Sequence, residues 1–468
     1  MRALIDWSYE LLTADEQRRL CRVSVFLRGF DLDSAAKVCA LTDDRLRLLD
    51  DLGSLVDKSM IVLESSNGAP RYRLLEPIRE YAYQKLDESG ALPDAQALHG
   101  RAVCAMAEDW YDEWDHGPPA DWLARIQRDV ANLRAALRWC VEQANDLPVG
   151  ARVAAAATIA FLRQGFLNEG ALWCHRVLAT ASPLPPPVEA RLRYGLSMLF
   201  SSLGDDSKCL AEAVHAVSLY RVTDDTRGLA RALSQVASRL AFGGRLGDAE
   251  TIARESLELA RGTGDRRLIA DALRRCAEAF AAAGTDAVRK SYGESTALFK
   301  SIGRNDETAR ALTWWGNWEL HTGGYAAATR LLEEAVRLED SDAAAMFPMA
   351  DIASAYLALG DRVRAELYAR KTLAAVSREG HEVLSALALS YLAAVAVDDD
   401  AVKSARLLGN ADARLRSAGW TLQPPDTTTL GHLRERLQER FADGELQRLF
   451  HEGAAWSNDQ AVSHALAA

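Results

Sequence analysis

"GGRLGDAETIARESLELA" (residues 243–260), "TGGYAAATRLLEEAVRL" (322–338) and "LGDRVRAELYARKTLAA" (359–375) are three versions of one pattern. In each, a glycine closes a helix, a short turn follows, and an alanine stands five residues on, where two helices must approach closely. Equivalent turn glycines fall at Gly165, Gly204, Gly244, Gly284, Gly323 and Gly360, at spacings of 39, 40, 40, 39 and 37 residues. Asp398 takes the next place, 38 residues further on. A period near 38 with two helices per unit predicts an α-solenoid over residues 150–420. An irregular bundle would not keep that spacing through six units.

Composition agrees with a mainly α chain. Of 468 residues, 49% are hydrophobic, 7% aromatic and only 13 are proline. The net charge of −11 argues against a large basic nucleic-acid surface. Seven scattered cysteines (21, 39, 104, 140, 174, 209 and 276), with no C-x-x-C pair, fit buried free thiols in a reducing compartment better than a disulfide frame. The N-terminus "MRALIDWSYELL" lacks a signal peptide's apolar core. The longest apolar runs, 153–162 and 386–397, fall short of the ~20 residues a bilayer requires. These features predict a cytoplasmic chain with no membrane span.

Residues 1–90 predict a small winged-helix domain ahead of the repeats. "TADEQRRLCRVSVFL" (13–27) opens on a Thr13 cap, "DLDSAAKVC" (31–39) is a second helix capped by Asp33, and "DDRLRLLDDLGSLVDKS" (43–59) is a third. "SMIVLES" (59–65) and the start of "YRLLEPIREYAYQKL" (72–86) make a hairpin across "SNGAP" (66–70). The second strand runs into a closing helix, with Leu74, Ile78 and Tyr81 as core contacts. Residues 91–149 read as a helical connector, in which Trp122, Ile126, Val130, Leu133, Leu137 and Cys140 form one apolar stripe over 119–143. Residues 421–468 read as a helical cap, its final helix opened by Ser457 and Asp459.

The winged-helix outline suggests DNA binding, but the charges oppose it. A reading helix needs Arg, Lys, Asn or Gln facing bases and phosphates. The third helix instead carries aspartates at 43, 44, 50, 51 and 57 against Arg45, Arg47 and Lys58. "ESSNGAP" (64–70) holds no cation, and residues 1–90 carry 13 basic and 16 acidic side chains. Affinity for phosphate rests on cations that displace counterions. The charges therefore argue against direct DNA binding and for a protein partner.

No chemistry-bearing motif emerges. The chain has no G-x-x-x-x-G-K-[ST] loop, no Gly-Lys dipeptide, no G-x-S-x-G elbow and no H-E-x-x-H. No catalytic, metal or cofactor-binding residue is assigned. "EWDHG" (113–117) groups Glu113, Asp115 and His116 without a second ligand pair at metal spacing, and reads as a solvated connector. "WWGNWELH" (314–321) puts three tryptophans on one repeat helix. Trp314 and Trp318 share a face at i, i+4, and Trp315 points about 100° away. Inter-repeat core accounts for at least one of the three. An exposed ring would anchor a peptide or stack on a sugar, which makes Trp314, Trp315 and Trp318 candidate partner- or ligand-binding residues.

The turn-and-alanine chemistry resembles tetratricopeptide repeats, with somewhat longer linkers. "DWSYELLTADEQRRLCRVSVF" (6–26) and "YRLLEPIREYA" (72–82) resemble the winged-helix segment that follows the nucleotide-binding core of NB-ARC-like signal-transduction ATPases with numerous domains (STAND). Together with the connector, the repeats and "HEGAAWSNDQAVSHAL" (451–466), they resemble the C-terminal two-thirds of LuxR-family regulators. Leu74, Leu75 and Glu76 take the places of the family's Met-His-Asp element. The resemblance implies an ATPase core ahead of Asp6, a helix-turn-helix after the repeats, and a nucleotide-sensing histidine where this chain has Leu75. Neither flanking module lies between Met1 and Ala468. The function implied is a non-catalytic sensor segment of a transcriptional regulator. Its winged helix would meet an ATPase core in cis or in trans, and its solenoid groove would bind a partner protein or small inducer. The alternative is a stand-alone tetratricopeptide-repeat adaptor unrelated to transcription.

Overall fold

A computed structural model describes residues 2–40, 44–64, 70–118, 121–181, 183–379, 381–420, 422 and 425–467. The chain forms two compact units, Met1–Thr263 and Gly264–Ala468. It is mainly α, with a winged helix-turn-helix followed by tetratricopeptide-like helical repeats.

In the first unit, α1 (Arg2–Glu10) precedes α2 (Ala14–Val23), α3 (Leu32–Cys39), α4 (Arg45–Asp57), β1 (Val62–Glu64), β2 (Arg71–Arg73) and α5 (Glu76–Glu88). Thr13 opens α2 in a capping box with Glu16, as expected. Asp31, not Asp33, caps α3, its Oδ1 accepting from the Ser34 amide at 2.7 Å. Asp33 lies inside the first turn and pairs with Arg45. The strands are antiparallel with Leu63 opposite Tyr72, and Phe30 adds a bridge to Tyr72 through two 2.9 Å backbone hydrogen bonds. Leu20, Phe30, Leu48, Leu52, Leu55 and Ile61 fill the core beneath. Leu74 and Tyr81 are buried and Ile78 packs at the edge of that core. Of the wing tip at 64–70, whose lack of cations counted against DNA, residues 65–69 lie outside the described residues, as do Asp43 and the expected helix start at 119–120.

The connector is α6 (Leu92–His116) and α7 (Trp122–Leu137), ended by a π-helical turn at Arg138–Glu142. Five stripe residues are buried and Val130 is half-buried. Asp115 corrects one expectation: it is buried at the end of α6, not solvated, with Arg227 Nε 2.6 Å from its Oδ2 and Arg231 as a second cation. Three helical hairpins follow: α8 (Leu147–Arg163) with α9 (Leu167–Thr180), α10 (Pro186–Ser202) with α11 (Asp206–Tyr220), and α12 (Thr226–Phe242) with α13 (Leu246–Gly262).

The second unit holds four more hairpins. They are α14 (Arg266–Cys276, extended by a 3₁₀ segment to Ala283) with α15 (Thr285–Ser301), α16 (Asn305–His321) with α17 (Tyr325–Leu338), α18 (Met346–Ala358) with α19 (Arg362–Glu379), and α20 (Glu382–Ala396) with α21 (Ala401–Ser417). The helices α22 (Asp426–Arg440), α23 (Asp443–Ala454) and α24 (Asn458–Leu466) end the chain, with Ser457 capping α24. All seven cysteines are buried and free. No described helix is long and apolar enough to cross a membrane.

Every repeat glycine sits in the turn between the two helices of its hairpin, with φ between 75° and 104°. A side chain in that left-handed region costs roughly 1–2 kcal/mol, which explains the residue type. Five residues on, Ala249, Ala328 and Ala365 are fully buried between paired helices. Gly170 and Cys209 fill the same place in earlier repeats, while the Gly284 repeat has Arg289 there, paired with Glu319, so five of these six repeats, not all, hold a small residue at that place. At Asp398 no left-handed residue is needed, because Asp400 caps α21 by accepting from the Lys403 amide at 2.8 Å.

Candidate functional site

The outward face of α4 is where a winged helix would meet DNA. Its buried face is Leu48, Leu52 and Leu55, which leaves Leu46, Leu49, Asp50, Gly53 and Asp57 exposed at helical spacing on the other side. Leu46 is 77% exposed. All three cations of this segment are occupied: Arg45 by Asp33, Arg47 by Asp15, and Lys58 by Glu16 at 2.5 Å. Burial alone would raise Glu16, yet Lys58, Ser54 and Thr13 hold its carboxyl down at about 2, so that anion persists at physiological pH. The face that would read bases is apolar and acidic.

The helix α1 presents a second such surface. Tyr9 packs edge-on against Tyr81 with ring centroids 5.4 Å apart, which seats α1 on α5. Leu4, Trp7 and Leu11 then point away from the core at i, i+3, i+7 and are 60–71% exposed. An apolar stripe of this kind is a protein-contact feature. Leu75 lies at the N-cap of α5, exposed and without a side-chain cap bond.

In the second unit the three tryptophans do not form one site. Trp315 and Trp318 share a cluster with Tyr292, Val288 and Ala277, whereas Trp314 is 39% exposed. The expected sharing of a face by Trp314 and Trp318 is therefore corrected. The 60° separating i and i+3 also lies within a core-facing arc, and α15 packs against that arc. Trp315 stacks on Tyr292 at 6.3 Å and donates to Glu319 at 3.2 Å, and Arg289 clamps the same carboxylate through two bonds of 2.8 and 2.9 Å. On the same helix, Asn317 donates to Asp351 of α18 at 3.2 Å. Ser354 and Tyr391 donate to Asp426 at 2.5 and 3.1 Å. Burial pushes Asp351 up to about 7 against the Asn317 hydrogen bond, with help from the Asp426 charge. Burial also raises Asp426. Here α16 meets α18 through Asn317 and Asp351, and Asp426 of α22 joins α18 and α20 through Ser354 and Tyr391.

Sequence reasoning missed the clamp that holds the winged helix to α7. Asp129 accepts two bonds from Arg71 at 2.7 and 2.9 Å, while Asn132 accepts from the Leu27 amide and donates to the Gly29 carbonyl. Its only signal was two polar residues inside an apolar stripe.

Known proteins are similar in both halves. Residues 12–87 match the family model described as "Winged helix-turn-helix domain". Proteins of Mycobacterium tuberculosis and Mycobacterium bovis named "Putative HTH-type transcriptional regulator" are 29% identical over 347 residues, covering 71% of this chain. The chain spans 38% of the length of those relatives. An uncharacterized M. tuberculosis protein is 43% identical over 90 residues, 19% of this chain and 23% of its own. Among solved structures, a signal-transduction ATPase with a tetratricopeptide-repeat sensor from Pyrococcus horikoshii has a TM-score of 0.49 at 14% identity, over 92% of this chain and 66% of that one. A Rap protein in complex with competence and sporulation factor has the same TM-score at 11% identity, over 76% and 99%.

Proposed function

We propose that this chain is the non-catalytic sensor segment of a STAND-type, LuxR-like transcriptional regulator. In this reading the winged helix is a protein-docking module. The α1 stripe and the α4 face meet an ATPase core, in cis or in trans. The repeats bind a partner protein or small inducer, with Trp314 as a contact and with Trp315 and Trp318 fixing the helix that presents it. Leu75 offers no imidazole, so any nucleotide state is read elsewhere. The observation that carries this reading is the occupancy of Arg45, Arg47 and Lys58 beside exposed Leu46 and Leu49. The relatives' names support the regulatory setting.

Co-expression with a P-loop ATPase core from a longer relative tests it. The two pieces should co-purify, and Leu4→Ser, Trp7→Ser and Leu11→Ser together should abolish the complex while leaving the helical circular dichroism unchanged. Absence of a complex, or a complex indifferent to α1, would contradict the docking role and favour a stand-alone adaptor.

A further inference from the structure

A cleft of about 520 Å3 opens in the first unit and is lined by α5, α6 and the π-helical turn after α7. The helix α6 packs against both α5 and that turn. Gly100 permits the close approach: a Cβ there would stand 3.1 Å from Cys140 Sγ. In the π turn the Gln143 amide donates to the Arg138 carbonyl at 3.0 Å, the i to i+5 bond that recurs at functional sites.

His99, on α6, lines this cleft although it is only 4% exposed. Its Nε2 is buried and has no hydrogen-bond partner among the described residues. Burial pushes the imidazole down to about 4, against the Asn132 hydrogen bond, so the ring is neutral near pH 7.

The charges on the two sides of the cleft are opposite. Glu80 and Asp87 line it from α5, and Arg138 from the π turn. None of the three forms an ion pair with a described residue, and neighbouring Arg79 is committed to Glu76 at 2.6 and 3.1 Å. Tyr83 and Trp139 add aromatic surface to the same lining. The volume lies in the range of small-molecule sites.

We propose that this cleft binds a small zwitterion with a planar ring, an aromatic amino acid. Its ammonium faces Glu80 and Asp87, its carboxylate Arg138, and its ring Tyr83 and Trp139, over the neutral His99 ring. This inference stands apart from the docking role proposed above.

Isothermal titration of the whole chain with L-phenylalanine, L-tyrosine and L-tryptophan tests it, with L-leucine and phenethylamine as comparisons. At least one aromatic amino acid should bind one to one. Arg138→Gln should weaken it by at least ~10-fold, the loss expected for one charge-assisted hydrogen bond. Phenethylamine, which lacks the carboxylate, should respond to Glu80→Gln with Asp87→Asn but not to Arg138→Gln. Arg138 is exposed, so the melting temperature should hold in that variant. No heat with any of the three, leucine bound as tightly, or an affinity unmoved by Arg138→Gln would each overturn the proposal.

Discussion

Asp351→Asn should make the second unit more stable at alkaline pH and remove one cause of its loss of stability as pH rises. Asp351 is partly buried on α18, has Asn317 as its hydrogen-bond donor, and lies near a second carboxyl, Asp426. Its native pKa is pushed to about 7 from an ordinary value of 3.8. Below pH ~4 both folded and unfolded chains hold the proton, and the group costs nothing. As pH rises towards 7 the unfolded chain gives its proton up and the folded chain keeps it, so stability falls by ~1.4 kcal/mol per unit. Above pH 7 the full penalty applies, about three units or ~4 kcal/mol before relaxation and water entry reduce it. Asparagine cannot ionise and removes that slope. For a unit of this size each kcal/mol moves the midpoint by about 2–4 °C, so the variant should gain roughly 5–10 °C over the parent at pH 8.5 and little or nothing at about pH 3.5. Differential scanning calorimetry across that range is the assay. A difference between variant and parent that stays the same at every pH would refute the reasoning.

Two further substitutions probe the packing. Gly409 and Gly453 let α21 and α23 meet backbone to backbone, since a Cβ at 453 would overlap the Arg406 carbonyl and one at 409 the Phe450 carbonyl. Gly453→Ala should cost about 2–4 kcal/mol in urea unfolding and expose α22–α24 to limited proteolysis. Asp129→Ala should cost roughly 2–3 kcal/mol, because it strands the half-buried Arg71 guanidinium. Hydrogen exchange should then rise in β2, and Arg71→Met on top of Asp129→Ala should restore much of the loss.

The repeats were legible because their constraint is local. A left-handed turn demands glycine and a close helix pair demands a small residue, so both recur at a fixed interval such as Gly244 with Ala249. The winged helix was legible through its caps and alternating strands. Contacts distant in sequence were not. Asp115 reads as surface until Arg227 and Arg231, more than a hundred residues later, are folded onto it. Asp31 and Asp33 are indistinguishable as caps in a string where both stand within two residues of the start of the helix. The tryptophan helix shows a third limit, because angular spacing says which rings diverge, not which arc the neighbouring helix α15 covers. The cleft beside His99 left no sequence mark, since its lining comes from the α2–α3 link and three helices.

The central claim is that the winged helix serves a protein and not DNA. Fluorescence anisotropy of a labelled duplex titrated with the whole chain at about 50 mM salt addresses it directly, because non-specific phosphate binding is strongest there. The account predicts no saturable rise up to roughly 100 μM, since Arg45, Arg47 and Lys58 are already paired. Saturable binding in the low micromolar range that Arg45→Ala with Arg47→Ala removes would contradict it.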